Sequence, residues 1–567
     1  MEILYPNKEG LYQTLESAKD NSLDFIILVT GALQGTDSKL LLSYLDRCIH
    51  LLKDGGILFV QGTPETLPEL GVYLDKFLTF KYWIAVESTL QSTRYRTGLP
   101  SVHSAVLLFT KGNGRFNIKR TRLPHQYCAA CQRTLKDWGG KAHLMHPDGY
   151  VISDVIKDLP LANNYDCLSK PLLNLLLDTL DFPVPENKQS NPLVDTPQSS
   201  IKGFIIPKEG ISSTETLVER PVQYVLPGFP EPKAAKSPLL VVTPHIGDNL
   251  FNTIHQGDAV EILKQYPDES IDLVFADPPY NLDKNYNVYA DEQAEEQYIQ
   301  WCNSWLTEYI RILKPTGSLY LLNLPHWAMY HATFLNQRLH FQNWIVWDAL
   351  SEPRGKVMPA HYALLFYTKH PHNFTFNYDE INQLDARSYC LRASCIRSRK
   401  TAGLDNKEVL TDIWWDVHRI KHPRDRDHHP CQLPDLLMQR IIKLSTNPGD
   451  VVLDALGGAG TTPIAALQLG RRYVAIDVDP YYVQIMQAKI AQIEKDGYLQ
   501  RESVKKAPQQ ATKKELQLEL RQIASELGRL PTPEDVKEKS QYQLDLFFNM
   551  FPTWGKALKA AKLEIQS

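Results

Sequence analysis

The period of the hydrophobic pattern changes along this chain, and each change marks an element. Ile271–Ala276 is a mostly apolar run of strand length, and so are Leu23–Leu28 and Val451–Leu453. A glycine-rich stretch follows the last of these, then Pro463–Leu469 with helical character, then a further strand over Arg472–Val478. Strand, turn, helix, strand is the opening of a doubly wound parallel sheet with helices on both faces. Near the C-terminus Leu516–Leu527 has helical spacing and Gly528 stops it. Pro531-Thr532-Pro533-Glu534 opens a second helix with Thr532 as cap, and Leu544–Met550, Trp554 and Ala557–Leu563 supply a third. Between Pro183 and Pro238 the periodicity fades and Pro, Ser, Thr, Gln and Lys dominate, which reads as a linker. Arg501–Thr512 reads as a second polar hinge.

The end of the Ile271–Ala276 run carries Asp277-Pro278-Pro279-Tyr280. The exocyclic nitrogen of adenine or cytosine is a poor nucleophile, because its lone pair is spread into the ring. A carboxylate (Asp277) and a carbonyl held by the stiff Pro278-Pro279 pair can accept both N–H bonds and localise that lone pair. Tyr280 offers a face on which a flipped base can stack. The bland alternative is a proline-rich turn that ends a strand.

A second cluster suits a methyl donor. Val451-Val452-Leu453-Asp454 leads into Ala455-Leu456-Gly457-Gly458-Ala459-Gly460-Thr461-Thr462. Glycines at such a turn let the backbone approach a ligand closely. Asp477 lies near the end of the next strand, 23 positions after Asp454 (477 − 454), where an acidic residue grips ribose hydroxyls. No Lys-Ser/Thr follows the glycines, so a ligand with a ribose and no phosphate fits best, and S-adenosylmethionine is one. The alternative is a turn that merely packs helix on strand.

Together these motifs resemble a family. Gly257-Asp258, the Ser270–Leu282 segment, His429-Pro430-Cys431-Gln432-Leu433-Pro434, then Asn447-Pro448-Gly449-Asp450 and the glycine turn are similar to the amino-methylating DNA methyltransferases. The catalytic motif precedes the cofactor motif, the permuted order of the beta class, and the resemblance covers about 246–495. It implies that Asp277, Pro278, Pro279 and Tyr280 are catalytic. It implies that Asp258 holds the adenine end of S-adenosylmethionine, that Asp454, Gly457, Gly458, Gly460 and Thr461 line its methionine side, and that Asp477 holds its ribose. The family's usual Pro and aromatic after the Asp of the glycine motif are replaced here by Ala455-Leu456. Pro430-Cys431-Gln432 also resembles the nucleophile motif of cytosine-C5 methyltransferases, a reading that leaves Asp277–Tyr280 unexplained. Adenine N6 is the expected target, with cytosine N4 as the near alternative and a non-catalytic DNA-binding regulator as the distant one. Gly528-Arg529-x-Pro531-Thr532 with Phe551-x-x-Trp554-Gly555-x-Ala557-Leu558 resembles the small helical repeat appended to homing endonucleases, a DNA-binding type of module.

The first half repeats the second. Leu52-Lys53-Asp54-Gly55-Gly56 matches Leu313-Lys314-Pro315-Thr316-Gly317 at an offset of 261 (314 − 53), as does Phe80-x-x-Trp83-Ile84 with Phe341-x-x-Trp344-Ile345. His103-Ser104-Ala105 matches His361-Tyr362-Ala363, and Tyr127-Cys128 matches Tyr389-Cys390. After Leu23–Leu28 the copy reads Val29-Thr30-Gly31-Ala32 in place of the catalytic tetrapeptide, and no glycine turn follows Leu172–Leu180. The expected organisation is therefore an inactive methyltransferase-like domain (1–182), a linker (183–245), a catalytic domain (246–500) and a small helical module (513–567). The fold class is α/β, with two Rossmann-like methyltransferase domains, the first degenerate, and an all-α C-terminal module. The two halves are expected to pack as an internal pseudo-dimer within a monomer.

Composition adds limits. A chain of 567 residues with a net charge of −4 is no bulk polycation, so contact with double-stranded DNA must use a local patch. Candidates are Arg392, Arg397, Arg399 and Lys400, and the segment Arg419–His429. No run has the length of a membrane helix and Met1–Lys8 is no signal peptide, so a bacterial cytoplasmic protein close to the nucleoid is expected, with a restriction or defence partner left open. Eight cysteines are present. Cys128-Ala129-Ala130-Cys131 reads as a lone C-x-x-C without a second pair, so free thiols and no metal are expected.

Overall fold

The computed structural model describes residues 1–33, 38–87, 98–183, 201–211, 250–282, 293–349, 355–419, 432–497 and 513–563, less 114, 136–144, 158, 160–166, 382–383, 386, 391, 404–406, 528, 541, 543, 552 and 562. It divides into two units, Met1–Ala491 and Gln492–Ser567.

The first unit holds two large sheets. The N-terminal sheet is built from β1 (Glu2–Leu4), β2 (Leu23–Val29), β3 (Leu52–Gly62), β4 (Thr79–Glu87), β5 (His103–Thr110), β8 (Val155–Ile156) and β9 (Lys202–Ile206). A small ribbon pairs β6 (Arg122–Leu123) with β7 (Tyr150–Val151). Helices α1 (Leu11–Ser17), α2 (Ser38–Leu51), α3 (Leu67–Asp75) and α4 (Lys170–Thr179) belong to this half. The sheet order is β1-β9-β2-β3-β5-β4-β8.

The second sheet uses β10 (Thr253–Gln256), β11 (Ile271–Ala276), β12 (Leu313–Asn323), β13 (His340–Asp348), β14 (His361–Thr368), β17 (Ile413–Trp414), β18 (Val451–Asp454) and β19 (Arg472–Asp477). A second ribbon pairs β15 (Leu384–Asp385) with β16 (Lys407–Glu408). Its helices are α5 (Ala259–Leu263), α6 (Glu295–Ile312), α7 (Pro325–Asn336), α8 (Ala393–Thr401), α9 (Asp435–Ser445), α10 (Thr461–Gln468) and α11 (Pro480–Asp496). The order is β10-β19-β18-β11-β12-β14-β13-β17. Strands β11 and β18 lie side by side and parallel at the centre, with almost every residue buried, as apolar runs covered by helices on both faces must be.

Strand order and register repeat between the sheets. β3 pairs antiparallel with β5 from Ile57↔Thr110, and β12 pairs antiparallel with β14 from Ser318↔Thr368. The C-terminal half then extends past β18 to β19 and β10, which the glycine turn and α10 make possible. In the N-terminal half the strand beside β2 is β9, and it continues into Pro207 and a short turn at Lys208–Gly210. The expectation that 183–245 is linker needs correction here. Phe204, Ile205 and Ile206 are buried between β1 and β2, a short apolar run hidden in a polar stretch; residues 184–200 and 212–249 lie outside the described ones.

The two sheets pack around a pseudo-twofold axis, and one apolar core runs through both halves. Trp83 and its counterpart Trp344 stack face to face, with centroids 3.8 Å apart and planes 7° apart. Val102 N donates to Asp412 Oδ1 at 2.9 Å, and in the reciprocal position Ala360 N donates to Asp154 Oδ1 at 2.7 Å. Such exchange of like contacts is the mark of an isologous interface. Helix α3 lies against α7, where a Cβ on Gly71 would come within 2.4 Å of Met329 Sδ, so a side chain there would force Met329 to shift. Arg387 joins Glu87 of the other half (2.5 Å) to Glu408 (3.0 Å).

The C-terminal unit is small and helical: α12 (Lys513–Leu527), α13 (Pro533–Lys539), α14 (Leu544–Met550) and α15 (Trp554–Ala560). Its core is Leu516, Leu520, Ile523, Val536, Phe547, Phe551, Ala557 and Ala561. Thr532 caps α13 in a reciprocal box with Asp535, as the sequence suggests.

Candidate active site

The C-terminal ends of β10, β11, β18 and β19 open onto one cleft. Parallel sheets bind ligands there, because the loops that leave the strands diverge. Asp258, Asp277, Pro278, Pro279, Tyr280, Asp454, Gly457, Gly458, Thr461 and Asp477 all line it. Gly460 sits behind the turn at the start of α10. Its φ is +84°, and a Cβ there would meet Met486 Cγ at 2.7 Å, so glycine is needed for close helix packing. Of the segment 429–434, residues 432–434 are described, and Gln432 and Leu433 line the cleft; 429–431 lie outside the described residues.

The tetrapeptide is held rigidly from beneath. Tyr280 Oη donates to Asp277 Oδ1 at 2.7 Å. The Pro279 carbonyl accepts from Tyr298 Oη (2.7 Å), and the Tyr280 carbonyl from Trp327 Nε1 (2.9 Å). Tyr298 is itself fixed by Asn323 Nδ2 (3.0 Å), a buried side chain at the end of β12. Among the described residues no donor pairs with the Pro278 carbonyl. Tyr280 is buried and its ring lies 5.9 Å from that of Tyr362.

The glycine turn is closed by two carboxylates. Asp454 accepts from Thr462 Oγ1 (2.6 Å) and Leu456 N (3.0 Å); burial, with the nearby Asp477 charge, pushes its carboxyl up to about 6 against those bonds. Asp477 accepts from Gly458 N (2.8 Å) and Asp479 N (2.8 Å), and burial raises its carboxyl too. Asp258 caps α5 by accepting from Glu261 N at 3.1 Å. β10 and β19 are paired in parallel through Gln256↔Asp477, which sets Asp258 and Asp477 at neighbouring strand ends.

Sequence reasoning missed Phe275, Trp301, Val478, Asp479 and Tyr482 in the lining. Val478 and Asp479 directly follow Asp477, so the strand end could have pointed to them. Trp301 comes from α6, and nothing in the motifs announces it. The candidate basic stretch also changes. Arg399 is buried, with Nη1 donating to Cys390 O (3.0 Å), and Arg392 Nη2 donates to Thr134 O (2.8 Å), which leaves Arg397 and Lys400 facing solvent. Of Arg419–His429, all but Arg419 and its hydrogen bond to Tyr362 Oη (2.9 Å) lie outside the described residues.

Five carboxylates (Asp258, Asp277, Asp454, Asp477 and Asp479) face or border the cleft. That lining repels phosphate and suits a cation and hydroxyl groups. Fold and cleft together define a methyltransferase-type site, and comparisons specify the family. The family described as DNA methylase matches residues 271–488, and the homing endonuclease associated repeat matches 511–564. Type II methyltransferase M.BamHI of Bacillus amyloliquefaciens is 38% identical over 233 residues, 40% of this chain and 54% of its own length. DNA adenine methyltransferase YhdJ of Escherichia coli is 33% identical over 243 residues, 42% of this chain and 82% of its own. The chain thus spans about half of the first relative and most of the second. Among solved structures, PvuII DNA methyltransferase (cytosine-N4-specific) aligns with a TM-score of 0.32 at 18% identity, covering 41% of this chain and 84% of that one. A Thermus thermophilus DNA modification methylase complexed with S-adenosylmethionine aligns at 0.31 and 24%, covering 43% and 95%. The chain belongs to the DNA methylase family, the S-adenosylmethionine-dependent N6-adenine and N4-cytosine methyltransferases. Among the described residues no helix is long and apolar enough to cross a membrane.

Proposed function

We propose that the C-terminal half methylates adenine N6 at a specific site in double-stranded DNA, and that the N-terminal half has no catalytic activity. The single observation that carries this reading is the convergence of Asp277–Tyr280 and the glycine turn on one cleft. The name of YhdJ and the Asp before Pro-Pro-Tyr support adenine. S-adenosylmethionine, when bound, supplies an activated methyl group on a sulfonium. The cleft fits it: Gly457 and Gly458 keep the turn open, the carboxylates favour a cation, and Asp258 would hold its adenine end and Asp477 its ribose hydroxyls.

The chain's own work is positioning. Asp277 and the Pro278 carbonyl accept the two amine N–H groups of a flipped base, and Tyr280 supports its ring. Asp277 receives the released proton and passes it to solvent. The bonds from Tyr298 and Trp327 keep both prolines and Tyr280 from yielding. No residue needs to attack the base, so Cys431 is left out of the chemistry.

The N-terminal half keeps the sheet but has Val29-Thr30-Gly31 at the strand end that matches Asp277, and Pro207 at the end that matches the glycine turn. It acts as the second subunit of an internal pseudo-dimer, in a monomeric chain, and adds DNA contacts beside the active cleft. The helical module adds further DNA affinity. A restriction or defence nuclease is the kind of partner this activity would protect against. The test is methylation of duplex DNA with labelled donor, then digestion to nucleosides and mass spectrometry. N6-methyladenine is expected. N4-methylcytosine would move the target, and no labelled base would overturn the reading. Calorimetry should find one donor site per chain; two sites would contradict an inactive first half.

A further inference from the structure

Four cysteines from the two halves meet at one point. Cys128 and Cys131 lie on the C-x-x-C turn of the N-terminal half, and Cys390 and Cys395 lie before and within α8 of the other half. Their sulfurs all fall within 4.8 Å of one another. Cys128 Sγ is 3.7 Å from Cys395 Sγ, and Cys131 Sγ is 3.6 Å from Cys390 Sγ. A disulfide needs about 2.05 Å, so neither pair is bonded. Sulfurs at ~2.3 Å from a tetrahedral zinc ion stand about 3.8 Å apart, since a tetrahedron's edge is ~1.6 times its radius. The two separations lie close to that value.

The surroundings fit thiolates. Cys128, Cys390 and Cys395 are buried and Cys131 is half-buried. Cys390 N donates to Cys128 Sγ at 3.3 Å, and Arg399 Nη1 lies 3.3 Å from Cys395 Sγ. Backbone N–H groups and a buried guanidinium aimed at sulfur are the outer shell that stabilises metal-bound thiolate. The turn is held by its own backbone bonds: Cys128 N donates to Arg133 O (2.7 Å), Gln132 N to Cys128 O (2.9 Å), and Ala129 N reaches across to Ser388 O (3.0 Å). The spacings, two residues between one pair and four between the other, lie within the range of structural zinc sites. The reading of Cys128-x-x-Cys131 as a lone pair is corrected by this geometry, which sets Cys390 and Cys395 beside it. The second pair is over 250 residues away, and the pseudo-twofold axis brings equivalent positions of the two copies face to face.

We propose that Cys128, Cys131, Cys390 and Cys395 bind one structural zinc ion that pins the inactive half to the catalytic half. Four thiols lose four protons to solvent, and four Zn–S bonds form with no change of oxidation state. The Zn(SR)4 unit carries a charge of −2, which Arg399 and the N–H donors partly offset. With four protein ligands no position is left for water, so the ion does no chemistry. It fixes α8, whose Arg397 and Lys400 are exposed. The site stands apart from the methyl-transfer cleft, so its failure and that of the methyltransferase reading are separable.

The test is the metal content of the full chain, purified without chelators or a metal-binding tag. About one zinc per chain is expected, retained through dialysis and released by a mercurial thiol reagent. Replacement by cobalt should give the intense visible bands of a tetrahedral tetrathiolate site. Cys395→Ser and Cys131→Ser should hold roughly tenfold less zinc, with the stoichiometry of donor binding unchanged. Because a variant can fail to fold, the wild type is also examined by intact mass and native alkylation. Four thiols protected until zinc is removed support the site. Two disulfides, or four thiols that react at once in a zinc-free native protein, overturn it.

Discussion

Asp277→Asn isolates the catalytic role of one carboxylate. The amide keeps the size of the side chain, and its oxygen can still accept from Tyr280 Oη, now 2.7 Å from Oδ1. What is lost is the charge, and a donor NH2 is turned toward the position of the substrate amine. A hydrogen bond to a charged group is worth about 1.5–3 kcal/mol, and a mismatched donor adds about 1–3 kcal/mol. The total of ~2.5–6 kcal/mol corresponds to a roughly 10²–10⁴-fold slower methyl transfer, the range expected when a positioned proton acceptor is removed. Tyr280→Phe, which keeps the ring and loses only the bond to Asp277, should cost roughly tenfold or less. The assay is single-turnover transfer from labelled S-adenosylmethionine to duplex DNA, with calorimetry of donor binding in parallel. Both variants should bind donor within about twofold of wild type, since Asp277 acts on the amine. Transfer at the wild-type rate by Asp277→Asn would refute the role, and loss of donor binding would move Asp277 into the donor site.

Gly460→Ala should weaken donor binding and lower stability by about 1–3 kcal/mol, because a φ of +84° and the contact with Met486 both oppose a Cβ; a thermal melt with and without donor measures both effects. Trp83→Ala and Trp344→Ala should each cost about 3–5 kcal/mol, and a double-mutant cycle should show coupling of at least ~0.5–1.5 kcal/mol beyond additivity, since the two rings stack on each other; additive losses in denaturant melts would argue against the pseudo-twofold contact. Asp154 is buried, and burial pushes its carboxyl up to about 7, above the ordinary value of 3.8. The folded state therefore holds this proton more tightly than the unfolded chain. Its contribution to stability is full below about pH 4 and is lost as pH rises through about 7. Asp154→Asn, which accepts the Ala360 and His361 N–H bonds without a proton, should flatten that fall; identical pH slopes for the two proteins would contradict it.

Much of the site was legible because its chemistry is local in sequence. Asp277–Tyr280, the glycine turn and Asp477 each lie at the end of an apolar run, and parallel strands deliver such ends to one edge. The repeat of Trp83 at Trp344 and of His103 at His361 likewise announced two equivalent sheets. What stayed hidden depends on contacts between distant residues. Lys202–Ile206 is too short an apolar run to stand out from a polar stretch, and only its neighbours β1 and β2 make it a strand. Arg399 looked like a solvated charge, yet it is buried, because its guanidinium folds back onto Cys390 O and Cys395 Sγ from one turn further along the chain. The pairing of Cys128-x-x-Cys131 with Cys390 and Cys395 was invisible without the twofold axis, although the matching Tyr-Cys pairs were already in view. Trp301 and Tyr482 reach the cleft from helices whose rotation no motif fixes.

Modified-base sequencing of genomic DNA from cells that express the wild-type chain, Asp277→Asn, or neither tests the methyltransferase reading most directly. The wild type should place N6-methyladenine at one short recognition sequence throughout the genome, and the other two should leave that sequence unmodified. Identical modification patterns in all three would contradict the account, and so would a mark that persists in Asp277→Asn.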